Sequence, residues 1–292
     1  MNAITLLSPA KVNLTFEVLG TRPDGLHEIR SVVQPIDIFD EIRVELTDKD
    51  EIELETSGLS IPSGRDNLAV KAAERFLQRS KLRSGVKISI KKRIPLGSGL
   101  GGGSSNAAAV LVGLSRITRE LTYKELMEIA PEIGADVAIF INSHTSIAQG
   151  IGEKIEALKD FPLFHYVIIY PNLHTSTADV YKKWDELSAN GNQNSKFNFE
   201  ESLALFKQGE SKIPLFNELE KPAMELHPEI KSFKKIFESL DAKHVLMTGS
   251  GSAVYSVHRD ADEAHDIHDY LKISPTFEVF LAKGLKGWHK VI

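Results

Sequence analysis

The segment Pro95-Leu96-Gly97-Ser98-Gly99-Leu100-Gly101-Gly102-Gly103-Ser104-Ser105-Asn106 constrains this chain more than any other. Five of the 20 glycines fall within residues 97–103. Such density marks backbone that either turns through conformations closed to other residues or lets another group come close. Behind the loop, Ala107, Val110, Leu111, Leu114 and Ile117 recur at helical spacing after Ser104, a residue type that caps helices. A glycine loop feeding a helix N-terminus presents unpaired N–H groups and the positive end of a helix dipole. Both favour a polyphosphate, and the hydroxyls of Ser104 or Ser105 are candidates for phosphate or Mg2+. The competing reading is a turn that uses glycine only to change direction.

Three common phosphate motifs do not account for the loop. Gly97, Gly99 and Gly102 satisfy G-x-G-x-x-G, but the preceding segment Lys91-Lys92-Arg93-Ile94-Pro95 is not a buried strand. About 20 residues onward the acid is Glu120, in a helix–helix connection rather than at a strand end. No lysine precedes the serine pair, which excludes a Walker A loop. The order of motifs also excludes the protein-kinase set.

The rest of the chain limits what else it does. At 292 residues it has the length of about two domains. Its 42% hydrophobic and 26% charged residues exclude a disordered chain. Lys and Arg number 35 against 40 Asp and Glu, a net charge of −5. That argues against general binding to nucleic acid or anionic membranes, both of which need excess cation. The basic stretch 81–93 also lacks the interleaved aromatics of an RNA-binding module. No run approaches the roughly 18 apolar residues of a membrane span. Residues 1–19 carry no basic region ahead of an apolar core, so a cytoplasmic location is expected. The absence of cysteine removes disulfides, thiolate metal sites and cysteine nucleophiles.

Apolar alternation at Ile42, Val44, Leu46 and at Val86, Ile88, Ile90 predicts half-buried strands of an antiparallel sheet. Helical spacing at Ala69, Ala72, Ala73 and Phe76 follows a capping Asp66, and Thr122 with Glu125 forms a capping box. Short apolar strands are expected at 137–141 and 145–148, then a turn at Gly150-Ile151-Gly152. The second half opens on a buried strand at 166–170 and a helix carrying Tyr181 and Trp184. Residues 188–214, including Asn190-Gly191-Asn192-Gln193-Asn194-Ser195, read as a mobile connection. A helix follows Pro228, then a strand, the turn Thr248-Gly249-Ser250-Gly251 and another strand. The fold class is α+β in two domains, 1–158 and 159–292, rather than regular βαβ.

Three segments in order, Pro9-Ala10-Lys11-Val12-Asn13, the loop at 95–106 and Thr248-Gly249-Ser250-Gly251-Ser252, resemble the GHMP family of small-molecule kinases. Further segments are similar to the family branch whose substrate is a cytidine-diphosphate-linked methylerythritol of non-mevalonate isoprenoid synthesis. They are Arg22-Pro23-Asp24-Gly25-Leu26-His27-Glu28, Gly134-Ala135-Asp136-Val137 and Asn217-Glu218-Leu219-Glu220. The resemblance implies a two-domain GHMP kinase fold with mixed and antiparallel sheets and an active site in the interdomain cleft. It implies ATP and Mg2+ as cofactors, and a small molecule as sole partner of a monomer or weak homodimer.

By the same resemblance Asp136 is the catalytic base, with Lys11 and Asn13 beside the attacking hydroxyl. Asn67 and Lys92 fall to adenine and the loop to the ATP phosphates. His27, Tyr181, Thr177 and Ile151 fall to the cytidine, and Gly249, Ser250, Gly251 and Ser252 to the substrate diphosphate. Read alone, Asp136 is a cap or strand-end carboxylate, Lys11 a solvated lysine, His27 a turn residue and Tyr181 helix packing. The chain departs from the family at Leu26, where an aromatic residue is usual, and at Ala138, where proline is frequent. Open alternatives are a GHMP kinase for a smaller alcohol and a non-catalytic nucleotide-binding regulator of the same fold.

Overall fold

The computed structural model describes residues 2–189, 197–208, 213–274 and 276–287. Two long strands dominate the first half, β1 (Ala3–Thr21) and β2 (His27–Thr47), paired antiparallel along their whole length. Then come β3 (Ile52–Gly58), α1 (Leu68–Arg79), β4 (Gly85–Lys92), α2 (Gly102–Thr118), α3 (Tyr123–Ile133), α4 (Val137–Asn142), β5 (Ser146–Gly150) and β6 (Lys154–Ala157). The second half adds β7 (His165–Tyr170), α5 (Thr177–Ala189), α6 (Phe199–Gln208), β8 (Phe216–Asn217), α7 (Glu220–Leu226), α8 (Glu229–Ser239), β9 (Val245–Met247), β10 (Val254–His258), α9 (Ala261–Leu271) and β11 (Glu278–Lys283).

Among the described residues the strands make a seven-stranded mixed sheet, β3-β4-β2-β1-β8 with β5 and β6 branching from β2, and a four-stranded antiparallel sheet, β11-β7-β10-β9. The branch follows from the length of β2. Its Glu41–Thr47 end pairs with β4, and its Ile29–Val33 end pairs with β5. The alternating residues of β2 and β4 bury Ile42, Val44, Val86, Ile88 and Ile90 against α1, α2 and α3. The alanines of α2 let it lie close over the strands, and Gly113 meets the side chains of Ile4 and Val44.

A second core joins the halves, with Val12, Leu14 and Ile36 packing on Phe164, Tyr166, Ile168 and Tyr255. Strand β8 ties them further, because it comes from the second half yet pairs in parallel with β1. The third core lies between the second sheet and α5, α7, α8 and α9.

Three local expectations are corrected. Residues 137–141 form α4, not a strand; five consecutive apolar residues satisfy either state, and burial on α2 decides for the helix. The cap of α1 is Asn67, whose Oδ1 accepts from the Ala69 N–H at 2.9 Å, while Asp66 lies in the preceding 3-10 turn. Within the expected mobile connection, 199–208 is α6, which buries Phe199 and Phe206 in the joining core. Residues 190–195 lie outside the described residues.

Candidate active site

A cleft of about 780 Å³ runs between the two halves. Its floor is the N-terminus of α2. That helix begins at Gly102, earlier than the Ser104 cap predicted, with Gly101 in the capping position at φ +73°. A side chain at 101 would press on Lys11 and Phe140 at 3.0–3.1 Å. Of the predicted phosphate loop, all but Leu100 and Ser105 line the cleft. Leu100 is core, and Ser105 accepts from the Ser8 hydroxyl at 2.7 Å. Ser104 faces the cleft, so of the two serines offered for a metal only this one is in position.

The second half clasps the loop. Thr175 N–H and Oγ1 both donate to the Gly97 carbonyl at 3.3 Å, Tyr170 donates to the Leu96 carbonyl at 3.2 Å, and Ala253 N–H donates to the Ser98 carbonyl at 3.0 Å. Gly99 (φ +79°) lies so close to the turn after β9 that a Cβ there would overlap the Thr248 carbonyl. Gly99→Ala is therefore expected to push the two glycine turns apart. It should cost roughly 2 kcal/mol or more of stability from strain and overpacking together. The urea midpoint should fall, and KM for the phosphate-bearing ligands should rise several-fold.

Lys11 projects from a stretch of β1 bounded by register shifts at Pro9/Ala10 and Asn13/Thr15, irregularities that re-aim side chains. Its ammonium donates to Asn13 Oδ1 at 2.6 Å and lies 3.7 Å from Asp136. Only 4% of the lysine side chain is exposed against 38% of Asp136. Burial pulls the Lys11 pKa below the usual lysine range, and the charge of Asp136 opposes that shift. Asp136 precedes α4 but makes no capping bond with its side chain, so the carboxylate is not consumed by the helix. The ammonium, the loop N–H groups and the start of α2 together make this end of the cleft electropositive.

At one end of the cleft lie Ile61, Pro62, Leu68, Asn67 and Lys92. Both predicted polar residues are already engaged. Asn67 caps α1 and donates to the Pro62 carbonyl at 2.9 Å, and Lys92 donates to Asp40 Oδ2 and the Ile94 carbonyl, each at 2.6 Å. Burial lowers the Lys92 pKa, against the pull of Asp40. Asp40, absent from the sequence reading, collects four donors: Lys92 Nζ, Asn106 Nδ2, and the N–H groups of Arg93 and Ile94. No local signal marks it, since its partners lie more than 50 residues away.

At the far end His27, Leu26, Ile151, Thr177, Tyr181 and the turn 249–251 line the cleft. The Tyr181 ring stacks on His27 itself, centroids 4.5 Å apart. Burial, then the charge of Asp136, pushes the Tyr181 hydroxyl above its ordinary pKa, so it stays protonated. Thr177 shares a 2.9 Å hydrogen bond with Ser250. In the turn, the Gly251 N–H is used on the Thr248 carbonyl, and the buried Ser252 hydroxyl donates to the Leu173 carbonyl, outside the cleft lining. Asn13 also sits behind the lining, held by Lys11, Ser31 and Thr248. Asn217 explains its own motif: its Nδ2 donates to the Met247 and Gly249 carbonyls, both at 2.8 Å, fixing the turn from β8. His174, packed against Gly97, and Asp185, bonded to His27, also escaped the sequence reading because nothing near them in the chain marks them.

Comparisons with known proteins give a coherent picture. Residues 67–144 match the model of the GHMP kinases N terminal domain, and 198–274 match that of the GHMP kinases C terminal. The chain is 37% identical over 270 residues to 4-diphosphocytidyl-2-C-methyl-D-erythritol kinase of Geobacter sp. (strain M21), covering 90% of this chain and 92% of that one. It is 38% identical to the kinase of the same name from Alkaliphilus metalliredigens, covering 94% of each. A crystal structure of 4-(cytidine 5'-diphospho)-2C-methyl-D-erythritol kinase superposes with a TM-score of 0.81 at 33% identity, over 96% of this chain and 99% of that one. Mevalonate kinase of L. major, 16% identical at a TM-score of 0.73 over 96% of this chain and 95% of its own, shares the fold.

Proposed function

The chain belongs to the GHMP kinase family, in which it acts as an ATP-dependent kinase of 4-diphosphocytidyl-2-C-methyl-D-erythritol, and we propose that the 2-hydroxyl of that substrate attacks the γ-phosphate between Lys11 and Asp136. The observation that carries the residue assignment is the Lys11–Asp136 pair at 3.7 Å, beside the glycine loop and across from the His27 pocket.

Phosphoryl transfer asks a protein chiefly to position the reactants and to stabilise charge. The backbone of 97–103 at the start of α2 receives the ATP phosphates, whose charge offsets the cost of keeping Lys11 protonated out of water. Asp136 orients the hydroxyl and takes its proton, while Lys11 stabilises the alkoxide as it forms. Asn67 and Lys92, with Ile61, Pro62 and Leu68, bound the adenine slot. His27, Tyr181, Ile151 and Thr177 receive the cytidine. Leu26 supplies an aliphatic wall where an aromatic residue is usual, worth about 1 kcal/mol less in stacking. The turn 249–251, braced by Asn217, faces the diphosphate.

Mg2+ is part of this proposal. Such an ion takes few protein ligands and completes its shell with water and phosphate oxygens. The Ser104 hydroxyl fits that role, and no cluster of three or more His, Cys, Asp or Glu placed for a metal occurs among the described residues. When bound, the ion neutralises charge on the transferring phosphate. We place the domain boundary at 158/159 and the enzyme in the cytoplasm as a monomer or weak homodimer. The net charge of −5 supports a small molecule, rather than nucleic acid or an anionic membrane, as its partner.

Incubation with Mg2+–ATP and 4-diphosphocytidyl-2-C-methyl-D-erythritol tests the assignment by mass spectrometry. One added phosphate is expected, lost with EDTA and restored by excess Mg2+. No product from enzyme that still binds ATP would move the assignment to another alcohol.

A further inference from the structure

His27 and Thr21 are cross-strand partners at the end of the β1–β2 hairpin, and both reach Asp185 of α5. His27 Nε2 lies 2.8 Å from Asp185 Oδ1, and the Thr21 hydroxyl donates to the same oxygen at 3.1 Å. Four residues earlier on the same helix face, Tyr181 stacks on one side of the imidazole, with an interplanar angle of 23°. Trp184 meets it edge-on at 5.4 Å. The ring is thus fixed in plane and rotation, and only 9% of the side chain remains exposed, in the cleft wall.

A carboxylate only accepts hydrogen bonds, so Nε2 must carry a proton. In the neutral imidazole the other nitrogen, Nδ1, is then an acceptor. Nδ1 has no hydrogen-bond partner among the described residues, and it is not sealed in the interior. From this geometry we propose that Asp185 is a specificity-determining positioning residue that locks His27 with Nδ1 as acceptor, selecting a pyrimidine with an amino group over one with a carbonyl at the same ring position. The inference rests on the reading that places the substrate's cytosine against His27. The exocyclic amine of cytosine donates to Nδ1. The corresponding oxygen of uracil sets acceptor against acceptor and leaves two desolvated lone pairs unpaired.

Asp185→Asn supplies the test, because an amide can also donate to Nε2 and so allow the opposite tautomer, a change that in other enzymes disables a histidine without disturbing its geometry. At pH 8, kcat/KM is compared for the cytidine-diphosphate substrate and its uridine analogue. The wild type is expected to favour cytidine by about 100-fold or more, as a site built around one hydrogen bond does. D185N should narrow that ratio at least about tenfold, with KM for ATP within about twofold of the wild type. Nitrogen-15 NMR of the wild-type enzyme, with His27 assigned by its loss in H27Q, should show Nε2 protonated and Nδ1 bare; this decides the tautomer even if D185N fails to fold. A protonated Nδ1 in the neutral ring, an unchanged base ratio in D185N, or a wild type indifferent to the base would each overturn the proposal alone. A wild type that binds ATP but phosphorylates neither substrate would instead overturn the functional reading beneath it.

Discussion

Asp136→Asn is expected to lower turnover about 10³-fold, because a positioned base contributes on the order of 10²–10⁴ and asparagine keeps the shape while losing the charge and the proton-accepting capacity. The carboxylate makes no capping bond to α4 and is more than one-third exposed, so α4 does not depend on it. Thermal stability should fall by about 1–3 kcal/mol, less than for a fully buried pair, because the buried Lys11 ammonium loses a partner that is itself partly solvated. KM for both substrates should change by no more than about threefold, the pattern of an interaction made in the transition state. Steady-state kinetics beside a thermal melt checks both halves. Turnover within a few-fold of the parent would remove Asp136 from the chemistry. In the variant Lys11 also loses its only ion-pair partner among the described residues, so its already lowered pKa should fall further.

Asp40→Asn should be the most destabilising single change, at about 3–5 kcal/mol, the usual cost of stripping a partner from a buried ion pair. The Asp40 and Lys92 side chains are 0% and 2% exposed. An asparagine whose oxygen still served the Arg93 and Ile94 N–H groups would aim its NH2 at Lys92 Nζ and Asn106 Nδ2, donor against donor. The damage would not stay local. Asn106 is on the first turns of α2, it donates to Ser8, and Ser8 donates to Ser105, so the helix start proposed to receive phosphate rests on this network. Urea unfolding should show the loss. A combined Asp40→Leu, Lys92→Met variant, which removes both charges, should be more stable than Asp40→Leu alone. If the double variant were no better, the buried lysine would not be the source of the cost.

Much of the candidate site was legible because its signals are local. Glycine density at 97–103 reports backbone conformations that only glycine adopts without strain, and Gly97, Gly99 and Gly101 take positive φ. The Thr122–Glu125 capping box closes within four residues and is present as read. Period-two alternation along β2 and β4 records which face of the sheet is buried. The family resemblance rested on such segments, each short and self-contained.

What escaped the sequence depends on which distant segments meet. The apolar run 137–141 carries no periodicity that separates strand from helix, and only the surface of α2 against it decides. Residues 199–208 looked like connection because Phe199 and Phe206 bury against a core assembled from both halves. Asp40 acquires its role from Lys92 and Asn106, and Asp185 from His27, 158 positions away. By itself the sequence determined where the backbone of the glycine loop turns and which strand faces are apolar, since those follow from single-residue sterics and near-neighbour periodicity. Only the tertiary structure decided which charges are paired and which nitrogen of His27 meets Asp185, because strand register and the packing of distant elements bring those partners together and no local preference encodes them.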